Sequence, residues 1–290
     1  MNELTPQRRD SDRPRGRMRK GMYILPSLFT TANIAAGFYA ILQVVLATVA
    51  EPWHLDFAAK AIGFAVLFDG LDGRIARMTR TDSEFGRELD SLADVVTFGV
   101  APALLAWMWG FHLLPATIDH QIRVKVVQLG SIACFGFLMA GASRLARFNI
   151  TKNPQPSNPG RPGKKYFVGM PIPAGAGVIA AVVHFSDGVP MTSWWTASTW
   201  LMMVVVVAYL MVSTWRFYSF KDIDLGSRHP FRLIFLIAGV FAAIWFFSGP
   251  VLFTIAIVYM ASGVLWRLQW VFRRKRPPAP PPYREASQIS

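Results

Sequence analysis

Apolar runs of about 20 residues recur along this chain of 290 residues. A run of that length crosses the roughly 30 Å hydrocarbon core of a bilayer as a single helix. Eight such runs lie approximately at residues 24–47, 57–79, 89–111, 125–147, 169–187, 194–214, 231–248 and 251–272. The third and fifth carry the weakest apolar signal. Backbone that faces lipid must satisfy its own hydrogen bonds, and the runs lack the roughly 10-residue alternation of barrel strands, so helices are the economical solution. The predicted fold class is therefore all-α, a polytopic membrane protein of about eight transmembrane helices. The composition, 53% hydrophobic, agrees.

A formal net charge of +13 would suit a nucleic-acid binder, but the placement of the charges excludes that partner. If both termini are cytosolic, 27 of the 30 Lys and Arg fall on the cytosolic side, and only Lys60, Arg123 and Lys125 fall opposite. That bias sets an even number of spans and both ends in the cytosol. Residues 1–21 read as a disordered basic arm with no apolar stretch. Residues 273–290 read as a basic, proline-rich tail that cannot pack a core. The single cysteine, Cys134, sits in an apolar run and excludes an intrachain disulfide. The five histidines are scattered over both faces, which argues against a shared metal site, and most Trp residues read as interfacial anchors.

Four aspartates interrupt the apolar pattern: Asp69 and Asp72, then Asp90 and Asp94, within FDGLDGRIARMTRTDSEFGRELDSLADVVTFG. Each costs roughly 2.5–3.5 kcal/mol at a helix centre, so four of them must face a wet, occupied interior. At about 100° per residue, Ala76, Gly73, Asp72 and Arg77 fall within about 80° of Asp69 and share its face. Asp90 and Asp94, four apart, stack on one face of the next helix, which Gly86 opens. The two carboxylate pairs can meet across a hairpin whose connection, near Thr79 to Glu88, is cytosolic.

Carboxylates that close cannot all ionise without a cation between them. An all-oxygen set suits Mg²⁺ or Mn²⁺, and a pair of such ions commonly clamps a phosphate during in-line displacement. Small Gly73 and Ala76 would let a diphosphate approach the helix, and Arg77 could neutralise it. Two other readings compete. Interhelical salt bridges with Arg74, Arg77 or Arg87 would hardly repay the desolvation of so many charges. A cation transporter would use the acids as its ion site, without nucleotide dependence and with no need for small residues beside them.

Asp69, Asp72, Gly73, Ala76, Arg77, Gly86, Asp90 and Asp94 match D-x2-D-G-x2-A-R-x8-G-x3-D-x3-D at every fixed position. In this the chain resembles the CDP-alcohol phosphatidyltransferases. The resemblance implies that Asp69, Asp72, Asp90 and Asp94 are metal ligands, that Asp94 is also the base for the acceptor hydroxyl, and that Gly73 and Arg77 contact the nucleotide or its pyrophosphate. Flanking segments LPSLFTTANIAAGFYAI, SLADVVTFGVAPALL, ASRLARFNI, GMPIPAGAG and TWRFYSFKDIDL are similar to bacterial, serine-accepting members of that family. Ser27 departs from the pattern, which has Asn after Pro26, while Pro26, Thr30 and Asn33 keep it.

The resemblance implies a catalytic core over residues 22–225, about six helices, followed by two additional helices over 226–272. It implies CDP-diacylglycerol and L-serine as substrates, CMP as a product, a bacterial inner membrane with a cytosolic active site, and homodimers as a family habit. The serine carboxylate calls for a planar cation near the acids. Arg144, Arg147 and Asn149 close the fourth span at that level and are the acceptor-site candidates. Glycerol 3-phosphate, inositol phosphate or choline are the alternative acceptors, because the core signature does not distinguish them.

Overall fold

The computed structural model describes residues 17–79, 84–150, 166–218 and 230–273, and among them the side chains of 30–70, 85–150, 166–218, 235 and 238–272. Its elements, in chain order, are α1 (Arg17–Leu46), α2 (Trp53–Thr79), α3 (Glu84–Asp94), α4 (Ala101–Trp107), α5 (His120–Ile150), β1 (Tyr166–Val168), α6 (Ile172–Phe185), α7 (Trp194–Val212), β2 (Arg216–Tyr218) and α8 (Pro230–Arg273). A π-helical stretch, Val95–Val100, joins α3 to α4, and another, Met108–His112, ends α4. The third apolar run is thus one continuous rod rather than an interrupted one.

The apolar pattern located these helices, and the differences have local causes. α1 starts at Arg17, inside the basic arm assigned to residues 1–21, because Arg, Met and Lys are good helix formers and Pro14 lies just upstream. α6 is shorter than the fifth run: Gly169 takes φ +73°, Pro171 and Pro173 set where the helix starts, and Gly188 at φ +72° follows its end. A Cβ at Gly188 would meet the Pro52 carbonyl and the Asp56 backbone, so this turn must pass close to the start of α2. α8 spans both of the last two runs, but Phe247 leaves the helical region (φ −138°, ψ 50°) and Pro250 follows, so the break falls where the two runs were separated.

The expectation of an all-helical chain is corrected at one place. β1 and β2 form a short antiparallel ribbon that pairs Tyr166 with Tyr218, Phe167 with Phe217 and Val168 with Arg216. Three-residue strands are too short to show a period in sequence.

α1 packs along α2, α5 along α7, and both α2 and α8 along α6. Small residues carry the close contacts: Ala40, Ala58, Ala59, Ala65, Ala176 and Ala180 are buried between helices. The Trp200 indole donates to the Ala106 carbonyl at 3.0 Å, its ring lying against Gly110, where any side chain would displace it. Four helices among the described residues are long and apolar enough to cross a membrane: Phe85–His112, His120–Ile150, Trp194–Val212 and Ala238–Phe272. Thr30–Leu46 and Ile172–Phe185 are shorter apolar helices. The most apolar of these, Ala238–Phe272, is also the least buried, with Trp245 and Phe246 fully outward. A surface like that is built for lipid rather than water.

At the end of the bundle far from the aspartate motif, Asp56 is buried to 8% exposure and His184 to 6%. The Asp56 carboxylate takes the Lys60 ammonium at 2.7 Å and His184 Nδ1 at 2.5 Å, and His184 Nε2 meets the Ser248 hydroxyl at 2.9 Å. These bonds tie α2, α6 and α8 together. Removing the imidazole leaves a buried carboxylate short of a partner, so His184→Leu is expected to cost about 2–3 kcal/mol. A drop of several degrees in the unfolding midpoint of the detergent-solubilised protein checks this, and an unchanged midpoint would refute it.

Candidate active site

Asp69 comes from α2, and Asp90 and Asp94 from consecutive turns of α3. One carboxylate oxygen from each lies within 4.8 Å of the other two. Four-residue spacing on α3 stacks two acids on one face, and the third arrives from the neighbouring helix, as the helical spacing required. All three are half-buried. The backbone of Asp72, Gly73, Ala76 and Arg77 continues α2, but their side chains lie outside the described residues. So do the connection at 80–83 and the loop carrying Lys164 and Lys165.

Three carboxylates at this separation form an all-oxygen donor set with strong mutual repulsion, and a hard divalent cation with bonds near 2.0–2.6 Å fits among them. The described residues therefore fit a metal of that class. Among the described residues no Cys or His joins the group, and Cys134 is buried in the middle of α5.

α1 supplies the next layer. Asn33, 3% exposed, donates through Nδ2 to Asp94 Oδ1 at 3.4 Å, while its own backbone carbonyl accepts the Thr97 hydroxyl at 3.0 Å. Thr97 is fully buried and sits in the π-helical stretch that begins directly after Asp94. A π turn holds more residues than an α turn, which lets the acid face its cluster and the threonine face α1. Gly37, one turn beyond Asn33, takes the Thr97 side chain and backbone where a Cβ would collide with both. In the sequence Asn33 stands out only as part of the family pattern, and Thr97 occupies no fixed position of the aspartate motif. The signal was present, because an amide or hydroxyl within an apolar span needs a partner.

The acceptor candidates separate into two kinds. Arg144, 9% exposed, lies within electrostatic reach of Asp94 and of Tyr259 on α8, and its Nε has no hydrogen-bond partner among the described residues. Arg147 instead donates to the carbonyls of Val212 and Ser213 at 3.1 and 3.4 Å, capping the end of α7. Asn149 donates to the Ser91 hydroxyl at 3.0 Å and links α5 to α3. Arg144 and Arg147 border a small cavity of about 40 Å³ with Phe148, Tyr166, Phe167 and Val168.

The ribbon that walls this cavity is held from behind by α8. The Arg216 guanidinium lies 5.0 Å from the Tyr166 ring centre and 4.9 Å from that of Trp266, and Tyr259 donates to the Tyr218 carbonyl at 3.3 Å. In the sequence Arg216 has Asp222 and Asp224 as its nearest candidate partners, and α8 corresponds to the two helices expected beyond the core. Nothing local in the sequence signals a contact between helices so far apart along the chain.

Residues 23–218 match the family model described as CDP-alcohol phosphatidyltransferase. Relatives named CDP-diacylglycerol–serine O-phosphatidyltransferase include one from Helicobacter pylori, 30% identical over 252 residues, covering 87% of this chain and 92% of the relative. Another, from Mycobacterium leprae, is 35% identical over 209 residues, covering 70% of this chain and 60% of the relative. A third, from Bacillus subtilis, is 31% identical over 201 residues, covering 69% and 93%.

Proposed function

This chain belongs to the CDP-alcohol phosphatidyltransferase family, and we propose that it transfers the phosphatidyl group of CDP-diacylglycerol to the hydroxyl of L-serine, releasing CMP. The observation that carries the chemistry is the convergence of Asp69, Asp90 and Asp94. Serine as acceptor is supported by the names of the relatives and by the buried Arg144 within electrostatic reach of Asp94. Family membership removes the transporter alternative, which gave the small residues Gly73 and Ala76 no purpose. Glycerol 3-phosphate and inositol phosphate would call for more basic side chains around the acids, and of the three acceptor candidates Arg144 is the one with a fully buried donor, its Nε, that has no partner among the described residues.

In this reading the serine hydroxyl attacks the phosphorus next to diacylglycerol. The new O–P bond forms as the bond from that phosphorus to the oxygen of the CMP phosphate breaks, so the bridging oxygen leaves with CMP. Asp94 takes the hydroxyl proton. Asp69, Asp72, Asp90 and Asp94 would hold Mg²⁺ or Mn²⁺, with two ions as the expectation, and a bound divalent cation supplies charge neutralisation for the diphosphate. Gly73 and Arg77 receive the nucleotide end. The three clustered side chains are all carboxylates, and we favour a single displacement by the serine hydroxyl over a covalent intermediate.

The setting follows from the same residues. With eight spans and both termini cytosolic, Arg144, Asn149 and the acids would lie at the inner headgroup level of a bacterial cytoplasmic membrane. There the lipid substrate enters sideways and serine from the cytosol. A homodimer fits the family habit. The test is purified protein in detergent with CDP-diacylglycerol, Mn²⁺ and labelled L-serine. Label in lipid with stoichiometric CMP supports the reading. EDTA is expected to stop CMP release, and excess Mn²⁺ to restore it. Release of CMP with glycerol 3-phosphate, inositol phosphate or choline but not with serine would overturn the acceptor.

A further inference from the structure

Asn33 presents an unfinished hydrogen-bonding pattern at the edge of the acid cluster. Its Nδ2 donates to Asp94 Oδ1, and its Oδ1 is buried without a partner among the described residues. The orientation of the amide is dictated by chemistry, because an amide oxygen in the place of Nδ2 would face carboxylate lone pairs. Native proteins rarely bury an acceptor that nothing satisfies, and such groups cluster where a ligand completes them. The main chain of Asn33 is pinned by Thr97, and Gly37 permits that close approach, so the side chain is held rather than free to turn away.

We propose that Asn33 is a specificity-determining residue for the acceptor: its Oδ1 accepts a hydrogen bond from the ammonium group of a 2-amino alcohol whose hydroxyl lies at Asp94. The inference rests on the acceptor assigned above and deepens it. In such an alcohol the ammonium and hydroxyl sit on adjacent carbons, and in Asn33 the two amide heteroatoms sit on one carbon. One amide can therefore hold the base with its donor and the substrate's ammonium with its acceptor. An acceptor without the amine would leave Oδ1 buried and unpaired, which is the arrangement that discriminates most strongly against an analogue lacking a polar group. Asn33 thus reads the amine, and Arg144, on α5, is left to read the carboxylate.

The test compares wild type with Asn33→Leu in CMP release with L-serine, and measures inhibition of that reaction by 3-hydroxypropionate, which keeps the hydroxyl and carboxylate but lacks the amine. The expected result is a serine KM raised at least about tenfold, with the inhibition constant of 3-hydroxypropionate and the KM for CDP-diacylglycerol changed by less than about twofold. Asn33→Ser, smaller and still polar, is expected to shift the same way and serves if the leucine variant does not fold. Equal shifts for serine and 3-hydroxypropionate, or none for either, would overturn the proposal. Wild-type protein inactive with serine would instead overturn the acceptor reading itself.

Discussion

Asp94→Asn is expected to lower kcat by about a thousandfold or more while leaving CDP-diacylglycerol binding near wild type. The substitution keeps size and polarity but removes the ability to take a proton, and general-base contributions alone reach roughly 10²–10⁴-fold. Asp94 is also the point where α1 meets the acid cluster, through Asn33, and asparagine can still fill that space. Turnover by CMP release, set beside retention of labelled CDP-diacylglycerol, checks the prediction. Lipid binding lost together with turnover would mean that Asp94 holds the site together rather than serving as its base. An active variant would remove the base assignment outright.

The acid cluster was legible because its logic is local. Two pairs at spacings of three and four residues, on helices that follow one another in the chain, have few ways to avoid each other. Asp69, Asp90 and Asp94 duly converge. The helices were legible for a similar reason, since the length of an apolar run is a direct consequence of bilayer thickness. What escaped was every contact that joins distant stretches of chain. Thr97 reaches back 64 positions to Asn33, and His184 reaches 128 to Asp56. Arg216 gained its aromatic neighbours only when Trp266 arrived from α8. The π turn after Asp94 was equally invisible, because VVTFG reads as ordinary apolar helix and its register shift shows only against α1.

The three acceptor candidates show how packing resolves what composition cannot. By sequence, Arg144, Arg147 and Asn149 are equivalent polar residues at the inner end of one helix. Their neighbours make them different: Arg147 meets two carbonyls at the end of α7, Asn149 meets Ser91, and Arg144 is buried within electrostatic reach of Asp94. A guanidinium buried to 9% exposure with an open Nε is costly unless something anionic completes it.

Arg144→Leu should therefore lower kcat/KM for serine by about a hundredfold, mostly through KM, because a planar fork aimed at a carboxylate is lost. Arg144→Lys should recover only part of this, since an ammonium cannot reproduce two parallel donors. The discriminating measurement uses ethanolamine, which keeps the hydroxyl and amine but lacks the carboxylate. Inhibition of serine transfer by ethanolamine should hardly change in Arg144→Leu, whereas it should weaken in Asn33→Leu. The two substitutions would then divide the acceptor between them, one reading its anion and the other its cation. If ethanolamine and serine lose affinity together in Arg144→Leu, the arginine acts on Asp94 or on the fold of the ribbon, and the carboxylate must find its partner elsewhere.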